Sequence, residues 1–282
     1  MERVVAVLGQ GLVPADTPIL RADDLGVLRG DGVFETLHVR PDGPWLLDAH
    51  LDRMARSAQR LDLALPPRSA LEGLAAEAFG AWPSEVEGAL RLVCTRGPEN
   101  DGPVTCYATL NPIGPAVAVG RRDGIRLATA SLGVAADARA AAPWLLGGVK
   151  SLSYGVNMAS QRWAVSQGLD DVLWVSADGY ALEGPTSTLL WLRGDELCTV
   201  PAHTGILPGT TSRFLLDHAG ELGWRTAERM VRPDELESAD SAWLVSSVRG
   251  VAQIRELDGA KLPDSPHNIP LQQLAGFPVQ GR

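Results

Sequence analysis

The chain has 282 residues, enough for one large domain or two ordinary domains with a substantial hydrophobic core. Its 45% hydrophobic and 21% charged residues are typical of a folded globular protein and exclude wholesale disorder. A formal net charge of −9 disfavours nucleic acid as a partner. No apolar run approaches the roughly 20 residues that a membrane span requires, so no membrane partner is expected either.

The first half of the chain shows strand patterns interrupted by short helices. Strands are predicted over residues 3–8, 32–39, 89–95 and 104–110. A turn-rich segment at 40–43 makes a hairpin with residues 45–47 plausible. An amphipathic helix follows over 51–61, and a second helix begins near Ser69 and ends before Pro83.

The three cysteines, Cys94, Cys106 and Cys198, are scattered along this pattern without a C-x-x-C pair. They predict neither a disulfide framework nor a zinc site, and the five histidines show no metal-ligand spacing, so no metal is expected. The first residues lack the layout of a signal peptide. The cytoplasm is therefore the predicted location.

The second half follows a stretch rich in Gly, Pro and Ala and alternates differently. A helix is predicted over 154–167, with Val156, Ala159, Trp163 and Ala164 on one apolar side. Strands are predicted over 172–176, 180–182, 187–192, 197–200 and 241–248, with a helix over 212–222. The fold class is thus mixed α/β (α+β) with two domains, residues 1–117 and 118–282, where 118–147 includes the linker.

Only two of the 25 basic residues are lysines, Lys150 and Lys261. A guanidinium stays protonated, whereas a lysine amine can lose its proton and attack a carbonyl. A genome-wide preference for arginine codons would produce the same bias. Lys261 lies in a polar segment and is interpreted as a surface residue, whereas Lys150 lies between a glycine pair and an apolar helix start. Lys150 is therefore the candidate nucleophile, with an exposed strand-end lysine as the alternative.

Glu183 follows a predicted strand and precedes Gly-Pro and three hydroxyl residues. A carboxylate fixed there can keep a cofactor's ring nitrogen protonated, although a simple turn cap is the alternative. The segment 205–213 (GILPGTTSR) leads into a helix and has the glycines and hydroxyls of a cradle for one phosphate. Ordinary N-capping by these hydroxyls is equally plausible. Arg53, on the amphipathic helix, can donate a forked pair of hydrogen bonds to a phosphate, or is a solvated helix residue.

Five segments in the same order resemble the class IV aminotransferases, the pyridoxal-phosphate enzymes of fold type IV. They are 28–37 (LRGDGVFETL), 46–54 (LLDAHLDRM), 149–154 (VKSLSY), 183–187 (EGPTS) and 205–211 (GILPGTT). The resemblance implies a small N-terminal α/β domain, a larger C-terminal domain, the cofactor between them, and a homodimer. Within the family it covers branched-chain aminotransferases, D-amino acid aminotransferases and 4-amino-4-deoxychorismate lyases.

Carried over by motif, Lys150 matches the lysine that binds the cofactor covalently, and Glu183 matches the acid at the pyridine nitrogen. Tyr154 is a weaker match to a residue near the cofactor's 3-hydroxyl. The resemblance gives the phosphate to Arg53, to the Thr210-Thr211 loop and to Ser247.

Two segments bear on the activity within the family. Residues 95–97 (TRG) are not followed by the Arg-x-His carboxylate trap of D-amino acid aminotransferases. Residues 245–251 (VSSVRGV) look most like aminodeoxychorismate lyases of actinobacterial type, and Arg249 in this segment is the candidate for a substrate carboxylate. The implied reaction converts 4-amino-4-deoxychorismate into 4-aminobenzoate and pyruvate for folate synthesis. The alternative is an aminotransferase acting on branched-chain or D-amino acids. A cofactor-binding regulatory protein without catalysis is disfavoured, because Lys150 and Glu183 are both intact.

Overall fold

The computed structural model of the protein describes residues 3–83, 85–100 and 102–277, and it divides into two units. The first unit runs up to Gly114 and also includes Val149–Tyr154. The second consists of Pro115–Gly148 and the chain from Gly155 onward. The prediction placed the segment Val149–Tyr154 in the second domain, whereas the structure assigns it to the first unit.

The first unit is a six-stranded antiparallel sheet with helices packed against it. Its elements in chain order are β1 Val4–Val7, β2 Gly11–Val13, α1 Leu25–Arg29, β3 Gly32–Arg40, β4 Gly43–Pro44, α2 Leu47–Arg60, α3 Arg68–Gly80, β5 Gly88–Thr95 and β6 Thr105–Pro112. The strand order is β2-β1-β6-β5-β3-β4. Alternate residues of the central strands, such as Leu37, Leu90 and Leu92, are fully buried in one core with Leu51 and Met54 of α2. The burial of this one face fixes the register of the sheet.

The segment Val149–Tyr154 belongs to the first unit because its backbone pairs with β3. The amide of Phe34 donates to the carbonyl of Lys150 at 3.2 Å, and the amide of Leu152 donates to the carbonyl of Gly32 at 2.9 Å. Gly32 is required here, since a Cβ at this position would lie 2.6 Å from the carbonyl oxygen of Cys94. The candidate lysine is therefore held by strand-like hydrogen bonds.

Two of the three cysteines are paired, so the prediction of no disulfide is wrong. Cys94 in β5 and Cys106 in β6 are directly opposite each other in the antiparallel register, with 4.3 Å between their Cα atoms, and form a disulfide. Their spacing of twelve residues carries no signal by itself, because only the strand register places them face to face. Cys198 is free and buried.

The second unit is built on a nine-stranded mixed sheet. Its elements are α4 Pro115–Asp123, β7 Ile125–Ser131, α5 Ala138–Ala141, α6 Gly155–Ser166, β8 Asp171–Val175, β9 Glu183–Gly184, β10 Ser187–Arg193, β11 Glu196–Thr199, α7 Thr210–Asp217, β12 Arg225–Glu228, β13 Ser241–Ser246, β14 Gly250–Leu257, β15 Ala260–Lys261 and α8 Asn268–Leu274. The main strand order is β12-β11-β10-β13-β14-β7-β8, with β9 on β10 and β15 on β14. Leu189, Leu244 and Ile254 of its central strands are fully buried in a second core. No helix among the described residues is both long and apolar enough to cross a bilayer.

Helix α6 covers the predicted span, but its predicted apolar side is mostly open. Ala164 alone of the α6 residues is buried, against Val172 and Trp174 of β8. Val156 is 63% exposed and Trp163 is 45% exposed. Periodicity indicates an amphipathic helix, and it does not specify what covers the apolar side.

Candidate active site

Lys150 is held by its backbone in the first unit and is 9% exposed. Its amide donates to the hydroxyl of Ser57 on α2 at 3.1 Å, while its carbonyl accepts from β3. Both backbone groups of Lys150 are therefore fixed by hydrogen bonds, so any chemical role of the residue belongs to its side-chain amine. This burial disfavours the alternative of an exposed strand-end lysine.

The amine of Lys150 lies among aromatic groups. Its Nζ is 4.3 Å from the ring centroid of Phe34 and donates to the hydroxyl of Tyr154 at 3.4 Å. The rings of Phe34 and Tyr154 meet edge to face, with centroids 5.0 Å apart. An amine beside two aromatic rings and a tyrosine hydroxyl has the surroundings of a candidate nucleophile and proton carrier.

Arg53 takes part in a buried charge cluster, not in a solvated helix surface. Its Nε donates to Oε1 of Glu35 at 2.8 Å and its Nη2 donates to Oε2 at 2.6 Å, a forked pair. Nδ1 of His50 lies 2.7 Å from Oε2 of the same carboxylate. Glu35 points from β3 to the face where α2 carries both partners, so the cluster fixes the direction of the Arg53 guanidinium.

The charges in this cluster follow from burial and partners. Burial raises the pKa of the Glu35 carboxyl, but the charge and hydrogen bonds of Arg53, with the hydrogen bond from His50, outweigh it and hold this pKa well below its usual range. Burial also lowers the pKa of His50. Glu35 is therefore ionised and His50 is neutral near pH 7, with its Nδ1–H donated to Glu35.

Arg91 of β5 lies on the face of the first sheet opposite the Glu35 cluster. Its side chain is exposed, its Nε donates to the hydroxyl of Thr36 at 3.4 Å, and its guanidinium carbon is 5.6 Å from the centroid of the Phe34 ring. Lys150 contacts the same ring. Strand register brings them together, since Thr36 and Arg91 are paired in β3 and β5. The first unit thus places an amine and a guanidinium around one aromatic ring.

In the second unit, Glu183 begins the two-residue strand β9 and is held by a loop. Its Oε2 accepts the backbone amide of Leu207 at 3.1 Å, and the residue is 8% exposed. The loop that carries Leu207 continues directly into α7. A carboxylate held in this way has a fixed orientation. A glutamate that only capped a turn at the surface would not be held like this.

The residues predicted to hold a phosphate in the second unit do come together. Thr210 and Thr211 form the first turn of α7, and Oγ1 of Thr210 lies 3.4 Å from the Ser247 hydroxyl. Oγ1 of Thr211 is buried and has no hydrogen-bond partner within the described residues. Helix α7 begins after its N-cap residue Gly209, which has no side chain that could cap the first amides.

This arrangement fits a phosphate monoester. The amides of a helix N-terminus and a buried hydroxyl without a partner among the described residues both favour a bound anion that accepts hydrogen bonds. Gly209 allows the close packing, since a Cβ there would lie 2.4 Å from the hydroxyl of Thr188. Neither threonine occupies the N-cap position of α7, so the N-capping alternative is disfavoured.

Arg249 is engaged with a protein carboxylate. Its Nη2 forms a short hydrogen-bonded ion pair with Asp171, which is fully buried at the start of β8. Its Nη1 is buried and has no hydrogen-bond partner among the described residues. The second unit therefore holds this guanidinium in place and leaves one nitrogen for a further acceptor.

A family model described as Amino-transferase class IV matches residues 32–257. A bifunctional aminodeoxychorismate lyase / D-amino acid transaminase from Mycobacterium tuberculosis is 41% identical over 272 residues, covering 93% of this chain and 94% of the relative. An aminodeoxychorismate lyase from Bacillus subtilis is 26% identical, covering 85% and 82%. The PLP-bound structure of a hypothetical aminotransferase from Mycobacterium tuberculosis superposes with a TM-score of 0.93 at 39% identity, covering 96% and 97%.

The chain therefore belongs to the class IV aminotransferase family, and the fold type IV prediction is confirmed. Enzymes of this family depend on pyridoxal phosphate, as the sequence predicts for this chain. The activity is shown to the level of a lyase or an aminotransferase of this family.

Sequence reasoning missed several residues that the structure places around the predicted ones. Glu35 and His50 lie inside the quoted segments 28–37 and 46–54 but were given no role. A buried acid in a strand and a histidine three residues before an arginine on a helix face are the signals that could have suggested the cluster. Arg91 gave no signal in the sequence, because its neighbours belong to another strand.

Proposed function

We propose that the protein is an aminodeoxychorismate lyase that converts 4-amino-4-deoxychorismate into 4-aminobenzoate and pyruvate for folate synthesis. The observation that carries the proposal is the buried amine of Lys150, fixed by its backbone and adjoining a hydroxyl, in a member of this family. The choice of lyase is supported by the 41% identical relative, whose name includes that activity.

We assign the cofactor contacts as follows. Lys150 binds pyridoxal phosphate covalently, Tyr154 lies toward its 3-hydroxyl, and Glu183 lies toward its ring nitrogen. The phosphate is assigned to four residues: Arg53, Thr210, Thr211 and Ser247. The directed guanidinium of Arg53 and the free hydroxyl of Thr211 are the features that support the phosphate assignment.

The bound cofactor supplies a ring that accepts electrons from the substrate, and the chain moves the protons. Nζ of Lys150, once released by the substrate amine, removes a proton from the substrate ring as a general base. The bond between the ring carbon and the enolpyruvyl oxygen breaks, the oxygen leaves with the electron pair, and the ring becomes aromatic. The ammonium of Lys150 then returns its proton to the departing enolpyruvate, which becomes pyruvate.

The second candidate is an aminotransferase for D-amino or branched-chain amino acids. The same relative carries a D-amino acid transaminase activity in its name, which favours the D-specific form despite the missing Arg-x-His trap. An aminotransferase needs a 2-oxo acid as acceptor, whereas the lyase does not.

This difference defines the experiment. Purified protein loaded with pyridoxal phosphate is expected to release 4-aminobenzoate and pyruvate in equal amounts from aminodeoxychorismate, with no 2-oxo acid present. The same preparation is assayed with D-alanine, D-glutamate and L-leucine plus 2-oxoglutarate. Amino transfer without any 4-aminobenzoate would contradict the lyase and establish the second candidate.

Arg91 and Arg249 are the candidates for binding the substrate carboxylates, and replacing each is expected to have a different effect. Replacing Arg91 by glutamine is expected to raise the KM for aminodeoxychorismate about 10-fold to 100-fold with a smaller change in kcat, as loss of a charge-assisted hydrogen bond predicts.

Arg249→Gln tests the arginine indicated by the sequence. Because it also leaves buried Asp171 without its partner, this variant is expected to lower the melting temperature. An unchanged KM in Arg91→Gln would remove Arg91 from the binding site.

The free hydroxyl in the cradle provides a direct test of cofactor binding. Thr211→Val keeps the shape and removes the hydroxyl, so we expect a dissociation constant for pyridoxal phosphate about 10-fold to 100-fold higher, measured by quenching of tryptophan fluorescence. Ser241→Ala is the matched control, because Ser241 is equally buried and without a partner but begins β13, at the end opposite Ser247. The apoprotein's melting temperature should not fall in either variant. Equal affinity in Thr211→Val and wild type would exclude the cradle.

We also propose that the protein acts as a homodimer in the cytoplasm. The dimer is supported by large apolar side chains left exposed on the second unit, among them Trp144 and Val165. The cytoplasmic location no longer draws support from scattered cysteines, since Cys94 and Cys106 are paired. It stays a prediction that follows from the proposed activity.

A further inference from the structure

Arg139, on the short helix α5, reaches the second carboxylate oxygen of Glu183. Its Nη1 lies 3.9 Å from Oε1 of Glu183 and donates to the carbonyl of Gly205 at 3.0 Å. The other oxygen, Oε2, is held by the amide of Leu207. The carboxylate therefore has a different partner at each oxygen, and both side chains of the ion pair are largely buried, at 17% and 10% exposure.

The position of Arg139 is built into the backbone around it. A Cβ at Gly205 would lie 2.5 Å from Cβ of Arg139, and a Cβ at Gly147 would lie 2.8 Å from the same atom. Gly205 also has a φ of +77°, which favours glycine. The carbonyl of Gly205 accepts a second hydrogen bond from the amide of Gly148 at 3.0 Å. The absence of a Cβ at Gly147 and Gly205 thus leaves room for the aliphatic part of Arg139. The carbonyl of Gly205, which accepts two hydrogen bonds, fixes the guanidinium.

We infer that Arg139 is a positioning residue that keeps the proton of the Glu183–cofactor pair on the ring nitrogen of pyridoxal phosphate and off the carboxylate. The inference rests on the proposed function in one respect, the assignment of Glu183 to the ring nitrogen. It adds a residue that acts through Glu183 without touching the cofactor. No segment quoted in the family resemblance contains Arg139.

The physical reason is the charge beside the carboxylate. In a buried pair of a carboxylate and a ring nitrogen, one proton can reside on either group, and low polarity favours the uncharged arrangement with a carboxylic acid. A neighbouring cation favours the ionised carboxylate, and the proton then stays on the nitrogen. A protonated ring accepts electrons from the substrate more readily, so the position of this proton controls the rate of the step that follows.

The test uses the holoprotein loaded with pyridoxal phosphate that carries ¹⁵N in its ring. The ¹⁵N chemical shift reports directly whether the ring nitrogen is protonated. Wild type is expected to give a pyridinium signal. Arg139→Met, which keeps the stem between the glycines and removes the charge, is expected to move the signal toward neutral pyridine and to lower kcat about 10-fold. Arg139→Lys is expected to restore both.

Control variants separate the possible explanations. Arg229→Met removes the exposed cation of the ion pair with Glu196 and is expected to leave the signal unchanged. Melting temperatures identify any variant that fails to fold, in which case Arg139→Gln replaces Arg139→Met. Glu183→Gln gives the reference for a ring without its acid. If Glu183→Gln moves the signal and Arg139→Met does not, the inference is overturned and the assignment of Glu183 stands. If Glu183→Gln itself leaves the signal unmoved, the assignment of Glu183 fails first.

Discussion

Replacing Lys150 by alanine is expected to lower turnover by at least about 10³-fold, because the variant loses both the covalent anchor of the cofactor and the general base. Cofactor affinity should fall less than activity, since Arg53 and the cradle on α7 are unchanged. Borohydride reduction of the wild-type holoprotein, followed by peptide mapping, should place the pyridoxyl group on Lys150. The same treatment of Lys150→Ala should label no lysine.

The chain offers a rare matched control for this experiment. Lys261 is the only other lysine in the sequence, and it lies exposed in the two-residue strand β15. Lys261→Ala should keep full activity and a fully labelled Lys150. A pyridoxyl group on Lys261, or turnover in Lys150→Ala close to that of wild type, would contradict the assignment of the nucleophile.

Glu183→Gln is expected to reduce kcat on the order of 10²-fold or more. Glutamine preserves the shape and can still accept the amide of Leu207, but it carries no charge to hold a proton on the ring nitrogen. A loss of about 3 kcal/mol of transition-state stabilisation corresponds to this factor. The effect should fall on kcat more than on KM, because the charge acts while electrons move into the ring.

The comparison variant for Glu183 is Glu196→Gln. Glu196 begins β11 in the same unit and pairs with the exposed Arg229, outside the proposed cofactor contacts, so its loss should leave kcat unchanged. Steady-state kinetics on the three proteins, with cofactor saturation verified by absorbance, would measure both effects. Near-normal kcat in Glu183→Gln would make Glu183 the turn residue that the sequence offered as its alternative.

The sequence predicted the strands well where apolar residues alternate against one core. The predicted strand 32–39 lies within β3 Gly32–Arg40, and the predicted strand 241–248 contains β13 Ser241–Ser246. The helix predicted over 212–222 is instead α7 Thr210–Asp217 followed by a 3-10 turn, Ala219–Leu222. The start at Thr210 matters, because it places both threonines inside the first turn.

Features that depend on the pairing of distant segments were not predictable from local pattern. The disulfide requires the register of β5 against β6, and the neighbours of Arg91 require the register of β3 against β5. The Glu35 cluster likewise joins a strand to a helix. Lys150 is the candidate nucleophile for a different reason, since the scarcity of lysine in this chain singles it out without any knowledge of the fold.

The six residues Val149–Tyr154 also bear on how such a protein can be inherited. The first unit is continuous in the gene only up to Gly114, and its candidate lysine, Lys150, is encoded after a further 34 codons that belong to the second unit, Pro115–Gly148. A gene fragment ending at Gly114 would encode all six strands of the first sheet without Lys150, the proposed nucleophile. Recombination at the unit boundary would therefore separate the lysine from the strand β3 that holds it. An exchange between relatives that keeps this pairing would have to carry both parts of the first unit together with residues 115–148.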